Sequence, residues 1–191
     1  YDVIVLRTKM RLLRNPDLSE ATVMARNMAF YNGNCTKDTD LGGYAFYGLS
    51  KLNYVKLPKD LVSVGDYMFQ GCNSLRELEI PETVTNIEGA AFSGCSSLKS
   101  IVIPKGVKSL PRNQLGNSYS EVYGLFYNCI ALESVTLPDG LENIGEYAFD
   151  KCNALKEIKL PPTVKTIDNY AFRNCSSLET IRIPSSLQSI A

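Results

Sequence analysis

Six Phe residues stand in one register: Phe46, Phe69, Phe92, Phe126, Phe149 and Phe172. Every step is 23 residues except the third, which carries 11 more. Only Phe30 lies outside the series. A fixed period in this range demands a stack of like units, because no single unit can bury its own apolar side. It constrains the shape of the chain far more firmly than its ligand.

Other columns keep the same register. Three residues after each Phe come Leu49, Cys72, Cys95, Cys129, Cys152 and Cys175, and three further on Leu52, Leu75, Leu98, Leu132, Leu155 and Leu178. A short apolar alternation follows, as in Leu75-x-x-Leu78-x-Ile80, and it ends each time at a proline such as Pro81 or Pro104. Alternation of this kind predicts a strand with one buried face. Proline has no N–H for a ladder, so it belongs at the strand end. Val84-x-x-Ile87 then sends two more apolar side chains inward. Glu146-Tyr147-Ala148-Phe149 has the length and composition of a single helical turn. The residue before the Cys column is Gly48, Gly71, Gly94, Asn128, Lys151 or Asn174. Gly and Asn there predict a left-handed residue closing that turn, with backbone strain at Lys151.

The unit reads C-x-x-L-x-x-[IVL]-x-[IL]-P-x-x-[LV]-x-x-[IVL]-x-x-x-A-F-x-x, in six copies with the last incomplete. It resembles a leucine-rich repeat of the BspA-like class, and Leu78 to Cys95, LEIPETVTNIEGAAFSGC, carries that pattern almost whole. The resemblance covers residues 44–191. It implies an α/β fold: a right-handed leucine-rich-repeat solenoid with a parallel β-sheet on the concave face, and short strands and single helical turns on the other sides. It also implies an extracellular or cell-surface location in host-associated bacteria or parasitic protists, often as an adhesin. Six strands are expected, centred on Lys56, Glu79, Val102, Thr136, Lys159 and Arg182. At ~4.8 Å between neighbouring strands they span ~24 Å.

Residues 1–43 do not fit the repeat. They are read as an N-terminal cap or the tail of an upstream domain, with a strand at Val3 to Leu6 and a helix from Asp17 or Ser19 to about Phe30. The basic cluster Arg7, Lys9, Arg11 and Arg14 is better read as a solvated face than as an anion site. Asp38-x-Asp40-x-Gly42 faintly resembles a calcium loop, but Leu49 stands where such a loop needs its bidentate Glu, so it is read as a polar turn. The insertion, near 111–123, has the Gly, Asn, Ser and Pro content of an exposed loop. Its Tyr119 and Tyr123 either anchor a partner or pack back on the coil.

Formal net charge is zero, with 20 basic and 20 acidic residues, which argues against a nucleic-acid partner. No apolar run approaches the ~18–20 residues of a membrane span. Five of the six Cys share the column that also accepts Leu49, so they are expected to be reduced and buried, and there is no His to build a zinc site with them. The sequence fits either redox compartment. Asn34-Cys35-Thr36 and Asn174-Cys175-Ser176 match the glycosylation sequon, which matters only in a eukaryotic secretory pathway. Both ends read as processing or truncation boundaries, so a signal segment is not legible. The last coil, through Ile183, Leu187 and Ile190, is expected to leave core uncovered and to favour weak end-to-end self-association.

The lack of His also removes the commonest acid–base catalyst at neutral pH, and no nucleophile elbow, phosphate loop or metal motif appears. Glu77 and Glu79 are paired carboxylates on one strand face, but nothing in the sequence desolvates them. The chain therefore reads as non-catalytic, without cofactor or metal. Its binding candidates are the outward strand positions Tyr54, Lys56, Glu77, Glu79, Ser100, Val102, Ser134, Thr136, Glu157, Lys159, Thr180 and Arg182. The uncharged middle, Ser100 to Thr136, with charge on either side, has the make-up of a specific interface for a protein or glycan. The competing reading is a spacer segment of a larger surface protein, with no ligand of its own.

Overall fold

In a computed structural model the chain is described over residues 42–111 and 123–191, together with the backbone of two short strands, β1 (Ala29–Phe30) and β2 (Asn34–Cys35). These two pair antiparallel, Ala29 with Cys35 and Phe30 with Asn34. A strand therefore stands where the sequence suggested the end of a helix. The intervening Asn32-Gly33 is a strong hairpin dipeptide, and it outweighs the helical spacing of the apolar residues before it. The rest of residues 1–41, with the basic cluster and Asp38 and Asp40, lies outside the described residues.

From residue 42 the chain winds into stacked coils, and all strand pairing there is parallel. One side carries a bridge between Lys56 and Glu79, then β5 (Ser100–Val102) paired with β7 (Ser134–Thr136), then β9 (Glu157–Ile158) paired with β11 (Thr180–Ile181). The six expected strand sites are all recognisable, but they form three pairs and not one continuous sheet. A second set of strands, which the sequence reading placed only as inward-pointing residues, follows the prolines. It comprises β3 (Ser63–Val64), β4 (Asn86–Ile87), β6 (Ser109–Leu110), β8 (Asn143–Ile144), β10 (Thr166–Ile167) and β12 (Ser189–Ile190). Strands β6, β8, β10 and β12 make one four-stranded sheet, and β3 pairs with β4.

Between β4 and β6 this second sheet is broken, and one of the missing bonds has a plain cause. The N–H after each strand normally reaches back one coil: Glu88 to the Val64 carbonyl, Gly145 to Leu110 and Asp168 to Ile144, at 2.8 to 2.9 Å. The corresponding residue after β6 is Pro111, which has no N–H to give.

The third side is not helical. Tyr67 and Gly71 both have positive φ, 54° and 73°, with Phe69 between them. The same pair recurs as Tyr147 and Lys151, at 56° and 63°. A left-handed residue two places before the Phe cannot belong to an α-helical turn, so the expected single helical turns are replaced by tight turns. The reason lies in where the N–H groups go. Those of Tyr67, Phe69 and Gly71 donate to Gly89, Ala91 and Ser93 of the next coil, at 3.2, 2.7 and 2.9 Å. Those of Met68, Gln70 and Cys72 turn back to Gly65, Tyr67 and Phe69 of their own coil, at 3.2, 3.1 and 3.0 Å. From Tyr67 to Cys72 this alternation serves every N–H and ties neighbouring coils together. It fixes the left-handed residues, including Lys151, which bears the strain expected of it.

Inside the coil the Phe rings form one stack. Successive centroids lie 4.9, 5.6, 5.3, 5.5 and 5.3 Å apart, with planes within 13° of parallel. Phe69, Phe92, Phe126 and Phe149 are fully buried, as are Leu75, Leu98, Leu132 and Leu155. In the last coil Phe172, Leu178 and Leu187 are only partly buried, and Ile190 is 63% exposed. That coil has a neighbour on one side only.

Candidate binding site

Strict alternation sets which side chains leave the strand side. In β5, Ile101 is buried between exposed Ser100 and Val102, and in β7 Val135 is buried between Ser134 and Thr136. Of the twelve outward positions expected from the sequence, eleven are exposed and Tyr54 is half-buried. Val102, at 57%, is a large apolar residue left open in their midst.

The structure does not treat the twelve equally. Among the described residues, no strand pairing and no backbone hydrogen bond joins the segment 77–80 to β5. A cleft of about 690 Å³ lies there, lined by Tyr54, Glu77, Glu79, Ser100 and Val102 of the expected positions. Leu78, Ile80, Pro81, Glu82 and Ile101 complete it. The lining holds three carboxylates and no basic side chain. Glu77, Glu79 and Glu82 make no side-chain hydrogen bond or ion pair among the described residues. Lys56 lies beside Glu79 across the bridge but outside the lining. Ser134 and Thr136 continue the surface across the β5–β7 ladder. Glu157, Lys159, Thr180 and Arg182 sit on the third pair, away from the cleft.

The insertion does not bring its visible aromatic residue to this face. Tyr123 packs on Tyr127, centroids 5.1 Å apart and planes at 57°, which places it on the turn side. Tyr119 lies outside the described residues.

That turn side holds a cluster that the sequence reading missed. Asp150 is fully buried, and its carboxylate accepts from Arg173 Nε at 3.2 Å, Arg173 Nη2 at 2.6 Å and Asn174 Nδ2 at 3.1 Å. The Arg173 guanidinium also lies 5.0 and 5.1 Å from the ring centroids of Tyr147 and Tyr170, which stack on each other at 5.1 Å. Hydrogen bonding to Asp150 pushes the Arg173 pKa up, and donation to Tyr127 Oη at 2.8 Å does the same for Lys151. Tyr44, Tyr67, Tyr147 and Tyr170 share one register in the sequence, and that column was the available signal. With all groups paired, the cluster acts as a clamp between coils. It also engages the amide of Asn174, the acceptor of the second sequon.

The cysteine column is free of disulfides among the described residues. Burial pushes the thiols of Cys72 and Cys129 up to about 12, and that of half-buried Cys175 to about 11. A thiol kept protonated by burial is a poor nucleophile at neutral pH.

Parallel coils of 23 residues, with a strand and a proline in each, define a leucine-rich-repeat protein. The chain matches the BspA type Leucine rich repeat region in six copies, over residues 25–121 and 122–191, and it belongs to that family. A leucine-rich repeat protein from Bacteroides ovatus is 33% identical and superimposes with a TM-score of 0.64 over 76% of this chain and 35% of its own. The leucine-rich repeat protein of T. pallidum is 31% identical, with a TM-score of 0.61 over 71% of this chain and 58% of its own. A leucine rich cell surface protein from Faecalibacterium prausnitzii is 27% identical, with a TM-score of 0.66 over 87% of this chain and 46% of its own. The chain thus spans between about a third and about three fifths of these relatives. No curated protein matches it. Among the described residues no helix is long and apolar enough to cross a membrane.

Proposed function

We propose that this chain is a non-catalytic recognition module of a bacterial surface protein, and that it binds a protein or glycan through the outward residues of its strand side. The observation that carries this reading is the outward row from Tyr54 to Thr136, exposed throughout but for half-buried Tyr54, which includes an open cleft and a solvent-facing Val102. Surface location is supported by the family and by the Faecalibacterium relative named as a cell surface protein. The concave sheet expected of the family would give this row its curvature. No cofactor or metal enters the proposal, and residues 1–43 are taken as a cap.

The alternative is a spacer whose exposed residues serve solubility alone. Exchanging the twelve outward residues among themselves separates the two. The wild-type chain and the scrambled variant are applied to panels of immobilised extracellular proteins and glycans. A ligand held by the wild type and lost by an equally folded scrambled variant supports recognition. A variant that keeps every interaction while only its solubility changes supports the spacer.

A further inference from the structure

We propose that the cleft between the 77–80 segment and β5 takes a basic side chain, Lys or Arg, from an extended segment of a partner protein. The proposal rests on the reading of the strand side as the recognition surface, and it names the chemistry of the partner.

The first observation is the break itself. The bridge between Lys56 and Glu79 and the β5–β7 ladder both hold neighbouring coils at strand-pairing distance. Between Glu79 and Val102 that pairing is absent, and on the second sheet Pro111 removes the donor at the same boundary, between β4 and β6. This is the boundary, among the described residues, where both sheets are interrupted. The coils are held there by the Phe69–Phe92 stack, by the turn ladder and by the Lys99 N–H on the Arg76 carbonyl at 3.3 Å. No backbone pairing closes the strand side there, and the cleft opens along it, lined by residues of both coils.

Charge then selects the occupant. Glu77, Glu79 and Glu82 line the cleft with no basic residue in its lining and, among the described residues, no side-chain partner of their own. A concave surface lined by one sign of charge focuses its field and attracts the opposite sign. The arrangement does not suit a metal ion, since no group of three or more carboxylates, thiols or imidazoles among the described residues is close enough to hold one. Carboxylates spread along a cleft suit an extended organic cation. Tyr54 offers a π-face for the cationic head, and Val102 together with Ile80 and Pro81 offers apolar surface for the aliphatic stem. An anionic segment meets like charge along the same walls.

The test uses the whole chain and two fluorescein-labelled peptides, one alternating Lys and Ser and one alternating Glu and Ser, followed by polarisation at low and physiological salt. The Lys peptide is expected to bind the wild type, more weakly as salt rises, and the Glu peptide not to bind. The triple variant E77Q/E79Q/E82Q is expected to bind the Lys peptide about tenfold more weakly, whereas E157Q, on the same side but outside the cleft, leaves it unchanged. Hydrogen exchange of the peptide complex locates the footprint. Protection at 77–80 and 100–102 supports the assignment. A footprint on the strand side with no effect of the triple variant overturns the cation site and leaves the recognition face standing. A footprint around Tyr147 and Tyr170 overturns both. Failure of the Lys peptide to bind at low salt overturns the cation site alone, because the exchange of the twelve outward residues tests the face independently.

Discussion

The thiol of Cys95 donates to the carbonyl oxygen of Phe69, one coil earlier, at 3.2 Å. The same oxygen accepts the N–H of Cys72 at 3.0 Å, so both of its lone pairs are used. The relation repeats down the column: Cys72 to Phe46, Cys129 to Phe92, Cys152 to Phe126 and Cys175 to Phe149, at 3.1 to 3.2 Å. The column therefore calls for more than a small apolar group. A buried cysteine fills the space and also ties its coil to the Phe carbonyl of the coil before.

Native thiols should be inert. Cys72, Cys95, Cys129 and Cys152 are buried and Cys175 is half-buried, so a thiol reagent at pH 8 should label Cys175 slowly and the other four only after unfolding. Labelling is read residue by residue by mass spectrometry. Fast modification of Cys95 in folded protein would contradict the hydrogen-bonded column.

Alkaline pH should destabilise the coil. Cys129 titrates near 9.0 when exposed and at about 12 when folded, so between these values the unfolded chain has released a proton that the folded chain keeps. Stability is then complete below pH 9 and falls as pH rises towards 12. Each such thiol contributes a slope of about 1.4 kcal/mol per pH unit once its unfolded form is fully ionised. Urea midpoints across this range, for wild type and Cys129→Ala, should give a slope shallower by one proton in the variant. Parallel slopes would remove this thiol from the account.

Phe92 has no exposed surface and stacks between Phe69 and Phe126, at 5.6 and 5.3 Å. Phe92→Ala should cost about 3–5 kcal/mol through lost burial and the cavity left behind. A urea midpoint unchanged from wild type would show that the ring stack contributes little.

Gly71 sits at φ 73° and its N–H bonds the Ser93 carbonyl at 2.9 Å. A Cβ there meets only the Gly48 backbone, at an ordinary 3.7 Å, so conformation and not crowding decides the outcome. Gly71→Ala should cost about 1–2 kcal/mol and Gly71→Asn less, in thermal or urea unfolding. Equal effects of the two would mean that the left-handed geometry is not what the position selects.

The parts of this fold that were legible in the sequence are those that repeat as composition. The Phe, Leu and Cys columns announce a stacked core, and Gly71 and Asn128 announce a left-handed turn firmly enough to carry Lys151 with them. The second left-handed residue was not legible. Its occupants include Tyr67, Ala90 and Tyr147, and no composition marks a tyrosine for positive φ. The conformation accompanies hydrogen bonds between coils, such as that of the Tyr147 N–H to the Asn169 carbonyl, which a local reading of Glu146 to Phe149 as a helical turn cannot contain. The short strands such as Asn143–Ile144 likewise exist only through their neighbours. The outward strand residues followed from alternation alone. The cleft did not, because it depends on coil spacing, although Pro111 stood in the sequence as a missing donor. Tyr123 lay in a loop whose direction nothing local determines, and it packs on Tyr127 away from the strand side.

The most direct test of the proposed recognition face is the double substitution V102R/T136R. Both side chains are exposed, and Val102 and Thr136 are paired across β5 and β7, so the new charges fall at the centre of the row without entering the core. Surface plasmon resonance against a ligand identified in the panels, with circular dichroism as the control for folding, gives the answer. The account predicts an unchanged spectrum and loss of binding, because buried charge at an interface is costly to desolvate. Full binding by the folded double variant would contradict it and move the footprint to the turn side or the insertion.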